Sequence, residues 1–361
     1  VGQGYTSGIV ATKPEGGKLW HFDTSLHSTD GIKPLEGAVA TLRPNEGRFG
    51  GAVAVEEGTT NLVPSNRLKF EGWTASSGVQ VTLTQNVEFP EIGRNDATRI
   101  RTTGGTSTLK YYLSIETSIA DQAYTGSVYI KNIGPKPVRF RVQPGSSVTV
   151  NPGEWTRAIA SGVGNGTTNF QFRFQALNAG DDLDFIAWGP QAERKPFATS
   201  FVDGVRGDGK LRYPTDAINP DEGTISVWAK FGEPSADDNY RSLITGGGSS
   251  SPNRFLWMIY RPIDGRSETL NLWDYNFSFG IVPIHEWVHV VLTYSKKSGQ
   301  MRAYKNGQYV GQRDFSGNIS LTQGSSFYVG SHSSNRHHMN GLVDELLILP
   351  YAATDEEIKA W

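Results

Sequence analysis

The sequence predicts an all-β protein: two β-sandwich (jelly-roll) domains, one inserted in the other, and a short C-terminal helix. Three observations point there. Glycine at 42 and proline at 18 of 361 residues, with many Thr, Ser and Asn, favour short strands joined by turns. Strand-length runs recur through the chain, and no long amphipathic helical stretch occurs before the tail. Strand-like segments at the two ends enclose a middle stretch of different texture, long enough to bury a core of its own.

In chain order, residues 1–17 are rich in turn formers and read as a linker. KLWHFDTSL at 18–26 is the first expected strand, 38–42 a short one, and RFGGAVAV at 48–55 a strand whose glycines permit close backbone approach. Eight runs follow: VQVTLTQN, DATRIRTT, LKYYLSIE, AYTGSVYIKN, VRFRVQPG, SSVTVNPGEWTRAIAS, NFQFRFQA and DLDFIAWGPQAE. Their spacing, with turn residues between, argues for a sandwich or jelly roll. After Asp203 a second set runs to NGLVDELLILP at 340–350. Strict alternation would put Leu342, Asp344, Leu346 and Ile348 on one face and Val343, Glu345, Leu347 and Leu349 on the other, so this strand is expected to be central. Pro350 ends it. Thr354 with Glu357 three residues on is a helix-start signature, followed by about two turns that could not be stable alone.

Composition narrows function. There is no cysteine, hence no disulfide framework, thiol nucleophile or thiolate metal site. The net charge is −2 with basic and acidic residues interspersed, which gives no basic stripe for nucleic acid or anionic membrane. No apolar run approaches the ~20 residues that span a bilayer, and no signal pattern opens the sequence, which leaves secretion open.

From Thr224 onward, TISVWAKF, HEWVHVVLTYSKKSGQMRAYKNGQYVG, FYVGS and NGLVDELLIL with DEEIKAW follow in order. This succession resembles the laminin-G-like, concanavalin A-type lectin/glucanase sandwich over the last third of the chain. In that family an opening strand with a Phe-Asp pair commonly lies beside the closing Asp-Glu strand, and LWHFDTSL matches it. The resemblance therefore implies a discontinuous host domain, residues 18–56 plus 204–361. Residues 57–203 resemble carbohydrate-binding β-sandwich modules attached to xylanases and found in phage tail proteins, through TTNLVPS, GSVYIKN, NPGEWTR and DFIAWGPQAERKPFATSFVDG. Two tandem domains are the alternative, but they leave Leu19–Phe22 and Phe49–Val55 with no sheet to complete.

Together the resemblances imply a non-catalytic carbohydrate-binding protein: a phage or prophage tail or surface adhesin module, in a virion or extracellular. Its partner would be cell-surface or cell-wall glycan, and it would be a homo-oligomer, a trimer if a tail fibre. A purely structural virion protein and the accessory region of a secreted polysaccharide-degrading enzyme are the rival readings. Laminarinase-like relatives carry Glu-x-Asp-x-x-Glu on one strand, because retaining chemistry needs carboxyls about 5–5.5 Å apart. No such run exists here, so no enzyme is expected.

Sugar recognition needs aromatic faces and a few fixed polar groups. Trp257 and Arg261 share one alternating side of FLWMIYRP, and Trp273 and Tyr275 one side of TLNLWDYNF. Asn335, Arg336 and His337 lie on the loop entering the closing strand. Arg139, Arg141, Gln171 and Arg173 alternate with Phe and Val in RFRVQ and QFRFQ, as a binding face or simply a solvated one. Trp155, Trp188, Trp228 and Trp287 read as core anchors. Structural Ca²⁺ is the expected cofactor, held by Asp23 and Asp344 if their strands meet and, as relatives of the inserted module suggest, by Glu71 and Asp184; hydrogen bonding to loop amides is the alternative for each pair.

Overall fold

The computed structural model describes residues 14–23, 25–233, 240–247, 254–263, 267–272, 277–315, 326–332 and 337–361. The chain forms two compact units. The larger comprises residues up to Glu57 with Gly207–Trp361, the smaller Gly58–Arg206.

In the larger unit an eight-stranded sheet runs in the order Thr41–Arg43, Ala52–Val55, Gly341–Leu349, Glu222–Lys230, Trp287–Ser295, Gln300–Lys305 and Gln308–Asp314, with Lys18–Trp20 also pairing with Gly341–Leu349. A six-stranded sheet contains Leu211–Pro214, Ser326–Val329, Arg241–Gly247, Arg254–Ile263, Ser267–Leu272 and Phe277–Ile281, in that order. Trp20, Val53, Ile225, Val290 and Leu346 of the first sheet, with Phe22 just past its opening strand, share one core with Leu211, Tyr213, Ile244 and Phe327 from the strands of the second. On its other face, Leu19, Val291, Leu347 and Leu349 pack with Ile358 of the closing helix, Asp355–Ala360. Cover on both faces is why the closing strand reads as apolar throughout. The capping box is formed: Thr354 Oγ1 accepts from Glu357 N, and Glu357 Oε2 accepts from Thr354 N at 2.8 Å. Burial of Ile358 adds the tertiary support that a six-residue helix needs.

The alternation expected along the closing strand is broken by a β-bulge. Ser226 pairs with Leu347 but Trp228 pairs with Asp344, so Val227 faces the two residues Glu345 and Leu346. The extra residue shifts the parity: Val343, Leu346 and Ile348 enter one core, Leu347 and Leu349 the other. Asp344 and Glu345 therefore do not simply occupy opposite faces. The opposite edge of this strand is shared by two short partners, Ala52–Val55 along 341–343 and Lys18–Trp20 along 346–348. Residues 344 and 345 fall in the gap between them. The opening strand is also shorter than KLWHFDTSL suggests, ending at Trp20 before Phe22 turns to φ 55°.

The smaller unit is a sandwich of two five-stranded sheets. One runs Trp155–Val163, Ala123–Asn132, Leu183–Glu193, Arg94–Gly104, Val79–Phe89; the other Ser147–Val150, Val138–Gln143, Asn169–Ala176, Leu109–Thr117, Thr74–Ala75. Each of the eight expected runs forms strand, SSVTVNPGEWTRAIAS giving two. Between the sheets Phe140, Phe172 and Phe174 meet Tyr124, Ile130 and Phe185, with the Phe174 and Phe185 rings 4.8 Å apart. Trp155 is a correction. Ala158 and Ala160 are the inward positions of its strand, so Trp155 has the opposite parity and is 41% exposed. Trp188, Trp228 and Trp287 are half-buried, whereas Trp20 and Trp73, which the strand patterns did not single out, are buried.

Candidate functional site

In the smaller unit the two strands that carry RFRVQ and QFRFQ lie side by side, with Arg141 opposite Arg173, Gln143 opposite Gln171 and Arg139 opposite Gln175. Val138, Phe140 and Val142 are buried while Arg139, Arg141 and Gln143 are half-exposed, the period-2 pattern of a strand with one face in a core. Phe170, Phe172 and Phe174 alternate in the same way with Gln171 and Arg173. The structure thus brings Arg139, Arg141, Gln171 and Arg173 together on one outward sheet face.

Hydrogen bonds order part of that face. Arg173 donates from Nε (2.9 Å) and Nη2 (2.6 Å) to Gln171 Oε1, and Gln171 Nε2 donates to Ser114 Oγ at 2.8 Å. Ser114 and Tyr112 come from the next strand, Tyr112 directly opposite Arg173. Burial first, and then the neighbouring Arg141 charge, lower the Arg173 pKa below the usual guanidinium value. Tyr112 and Ser114 were missed from the sequence, although the signal was present: Tyr111 and Leu113 are core residues, so their neighbours in LKYYLSIE must point outward. The face offers an aromatic ring, guanidinium and amide donors, and hydroxyls, the groups that bind the apolar face and the hydroxyls of a sugar ring.

The second cluster lies in the larger unit, at the gap beside the bulge. His21 Nε2 is 2.8 Å from Asp23 Oδ2 and its Nδ1 3.2 Å from Glu345 Oε1. The loop at 47–51 crosses the gap: Phe49 N donates to Asp344 Oδ2 at 3.0 Å and Gly51 N to Asp23 Oδ1, while Glu345 N donates to Asp344 Oδ1 at 2.8 Å. The glycines there are needed. A Cβ on Gly47 would stand 2.1 Å from Gly51 O and 2.8 Å from Asp344 Oδ2, and one on Gly51 2.7 Å from the Asp23 Cα. Phe22 and Glu345 both hold left-handed backbone, at φ 55° and 45°, a cost that the surrounding packing must bear.

Asp344 and Glu345 are fully buried. Burial pushes the Asp344 carboxyl up to about 7. The Glu345 carboxylate 3.2 Å away, helped by Asp23, raises the His21 pKa against the opposing effect of its own burial. Asp23 and Asp344 do gather at one loop. N–H donors face Oδ1 and Oδ2 of Asp344 and Oδ1 of Asp23, with the His21 ring at the fourth oxygen, and among the described residues no three His, Asp or Glu side chains are arranged to hold a metal. Burial favours the protonated form of Asp344 and the surrounding carboxylates the charged form of His21, while both Glu345 carboxylate oxygens lack a hydrogen-bond partner. In the smaller unit Asp184 is gripped by Arg99 through two hydrogen bonds, 2.8 and 2.7 Å, with Arg101 at 3.4 Å, and Glu71 accepts from Gln85. Two guanidinium groups are thus the cationic partners of Asp184, and an amide is the partner of Glu71.

Trp257 and Arg261 lie in the strand Arg254–Ile263, opposite Thr245 and Thr269 respectively. Trp273, Tyr275, Asn335 and Arg336 lie outside the described residues. His337 is half-buried, its ring edge-on to Tyr240 and to His332, both at 5.6 Å. His289 is buried, its Nε2 2.7 Å from Ser226 Oγ and its ring stacked on Trp228, and burial lowers its pKa to about 4.

Residues 203–359 match the family model of the concanavalin A-like lectin/glucanases superfamily. Among solved structures the chain is similar to a heptameric SAP-like pentraxin from Limulus polyphemus, at 16% identity over 39% of this chain and 69% of that one, with a TM-score of 0.31. It is similar to the CBM40 of a Ruminococcus gnavus IT-sialidase at 17% identity over 40% and 83%, with a TM-score of 0.30. A third similarity is to Domain 4 of AbnA, a GH43 extracellular arabinanase from Geobacillus stearothermophilus, at 18% identity over 45% and 80%, with a TM-score of 0.33. A comparison with curated proteins finds no match.

Proposed function

We propose that this chain is a non-catalytic carbohydrate-binding protein and that its glycan site is the Arg139, Arg141, Gln171, Arg173 and Tyr112 face of the smaller unit. The observation that carries this reading is the relay Ser114–Gln171–Arg173, which fixes a guanidinium beside a half-buried tyrosine on an otherwise polar sheet face. Fixed donors next to a ring bind sugar hydroxyls without first having to be ordered. The non-catalytic part is supported by the acids. Asp344 and Glu345 are sealed from solvent, so neither can reach a glycosidic oxygen.

In its finer form the proposal is a tail or surface adhesin module that recognises cell-surface or cell-wall glycan, with modest single-site affinity raised by oligomerisation. The likeness of residues 57–203 to phage and prophage structural proteins supports it. The test is a glycan array and a pull-down with purified wall and capsule fractions, using the full chain and Arg173→Ala. Binding that falls at least tenfold in the variant supports the proposal. Binding unchanged by Arg173→Ala, or none to any glycan or fraction, contradicts it.

A further inference from the structure

Seven cations of the smaller unit are matched by acids. Lys131 pairs with Glu91, Arg94 and Lys69 with Asp96, Arg99 and Arg101 with Asp184, Lys136 with Asp181, and Arg194 with Glu116. None of these ion pairs reaches Arg139, Arg141 or Arg173. The last two stand directly opposite each other on adjacent strands, with Arg139 two residues along the same face. Like charges at directly opposed positions destabilise a sheet, and partial burial of an unpaired charge adds to that cost. Relief from within is lacking: the remaining cross-strand neighbours are Thr149 and Gln175 for Arg139, Ser147 for Arg141 and Tyr112 for Arg173, none of them acidic.

A guanidinium group matches the geometry of a planar carboxylate, or of a sulfate or phosphate, through paired N–H donors. Arg173 is already held by Gln171, which leaves its Nη1 without a hydrogen bond to that amide. We infer that the ligand of this face is an anionic saccharide whose oxyanion group sits between Arg141 and Arg173, with Arg139 extending the basic surface along the chain of sugars. This rests on the glycan-binding reading and narrows it: a neutral sugar would satisfy hydroxyl donors and acceptors here but leave three like charges together.

The experiment measures binding of the full chain to polygalacturonate, hyaluronan, polysialic acid and heparin, each beside its carboxyl-reduced or desulfated counterpart. Neutral wall glycans are included, and salt is varied. The expected result is at least tenfold tighter binding to one or more of the acidic forms than to their neutralised counterparts, weakening as salt rises. The paired substitution Arg141→Gln with Arg173→Gln should remove that preference with unfolding unchanged or shifted slightly upward. Preference for uronate or sialate over heparin assigns carboxylate as the oxyanion, and the reverse assigns sulfate. Equal binding of acidic and neutralised forms, or binding to neutral glycans alone, overturns this inference and leaves glycan binding standing. Acidic binding that survives the paired substitution overturns the site. Absence of binding to every polymer and wall glycan overturns both readings.

Discussion

The two units handle charge in opposite ways. In the larger one, Asp344 and Glu345 are buried in a gap between two short strands, His21 and the more exposed Asp23 stand beside them, and a glycine loop turns its amides to Asp344 and Asp23. In the smaller one, Arg139, Arg141 and Arg173 stand half-exposed on a sheet face with no acid near them in register. In the first arrangement backbone amides satisfy Asp344 and Asp23, while the buried Glu345 carboxylate has only His21 Nδ1 near it, at 3.2 Å and without a hydrogen bond; the cluster fixes a bulge and joins the opening segment to the closing strand. The second has no acidic partner in register, and that is the ground for the anionic ligand proposed for it. Enrichment in charge is thus by itself a poor guide to a site.

The largest expected effect tests how the buried Asp344 and Glu345 are neutralised. The folded state favours a proton on Asp344 up to about pH 7, whereas the unfolded carboxyl loses it near its ordinary value of 3.8. The folded protein therefore binds more protons across that window, and stability must fall as pH rises through it. His21, whose pKa is raised, contributes stability that is present below its ordinary value and is lost as pH rises through the folded one. Both act in the same direction. The Asp344 gap alone is worth up to about 4 kcal/mol. Thermal unfolding measured between acid and neutral pH should show the decline, Asp344→Asn should flatten it, and added calcium should leave it unchanged. A calcium-dependent rise in melting temperature would mean that a metal, not a proton, neutralises the cluster.

Next in size is Gly47→Ala, whose methyl would collide with the Gly51 carbonyl and the Asp344 carboxylate. A loss of about 3 kcal/mol is expected by chemical denaturation, with glycan binding by the folded protein unaffected. The smallest effect has the opposite sign. Arg141→Gln removes a like-charge pair and should stabilise the free protein by about 0.5 kcal/mol while weakening ligand binding. A destabilised Arg141→Gln would place the basic face with the structural clusters and remove the contrast between the units.

Much of the fold was legible because period-2 alternation and turn chemistry are local. AYTGSVYIKN and NFQFRFQA form strands over the same residues that the patterns mark, 123–132 and 169–176. The capped closing helix was legible for the same reason. What escaped was non-local. No feature of NGLVDELLIL announces an extra residue opposite Val227, because a bulge is decided by the partner strand and by what fills the gap. KLWHFDTSL continues as an apparent strand in sequence, yet Phe22 leaves the extended region where the chain turns aside. The four polar positions of the candidate face were readable from alternation with Phe and Val. Their neighbours Tyr112 and Ser114 required the strand order, which places Leu109–Thr117 beside Asn169–Ala176. Trp155 shows the converse error, an aromatic assigned inward by its apolar surroundings when parity turns it out.

Hydrogen exchange of the full chain, with and without the glycan that it binds best, addresses the contrast between the units most directly. The account predicts ligand-dependent protection in 109–117, 138–143 and 169–176, with 18–23, 47–51 and 341–349 unchanged. Protection confined to the larger unit, with the three strands of the smaller one unaffected, would contradict it.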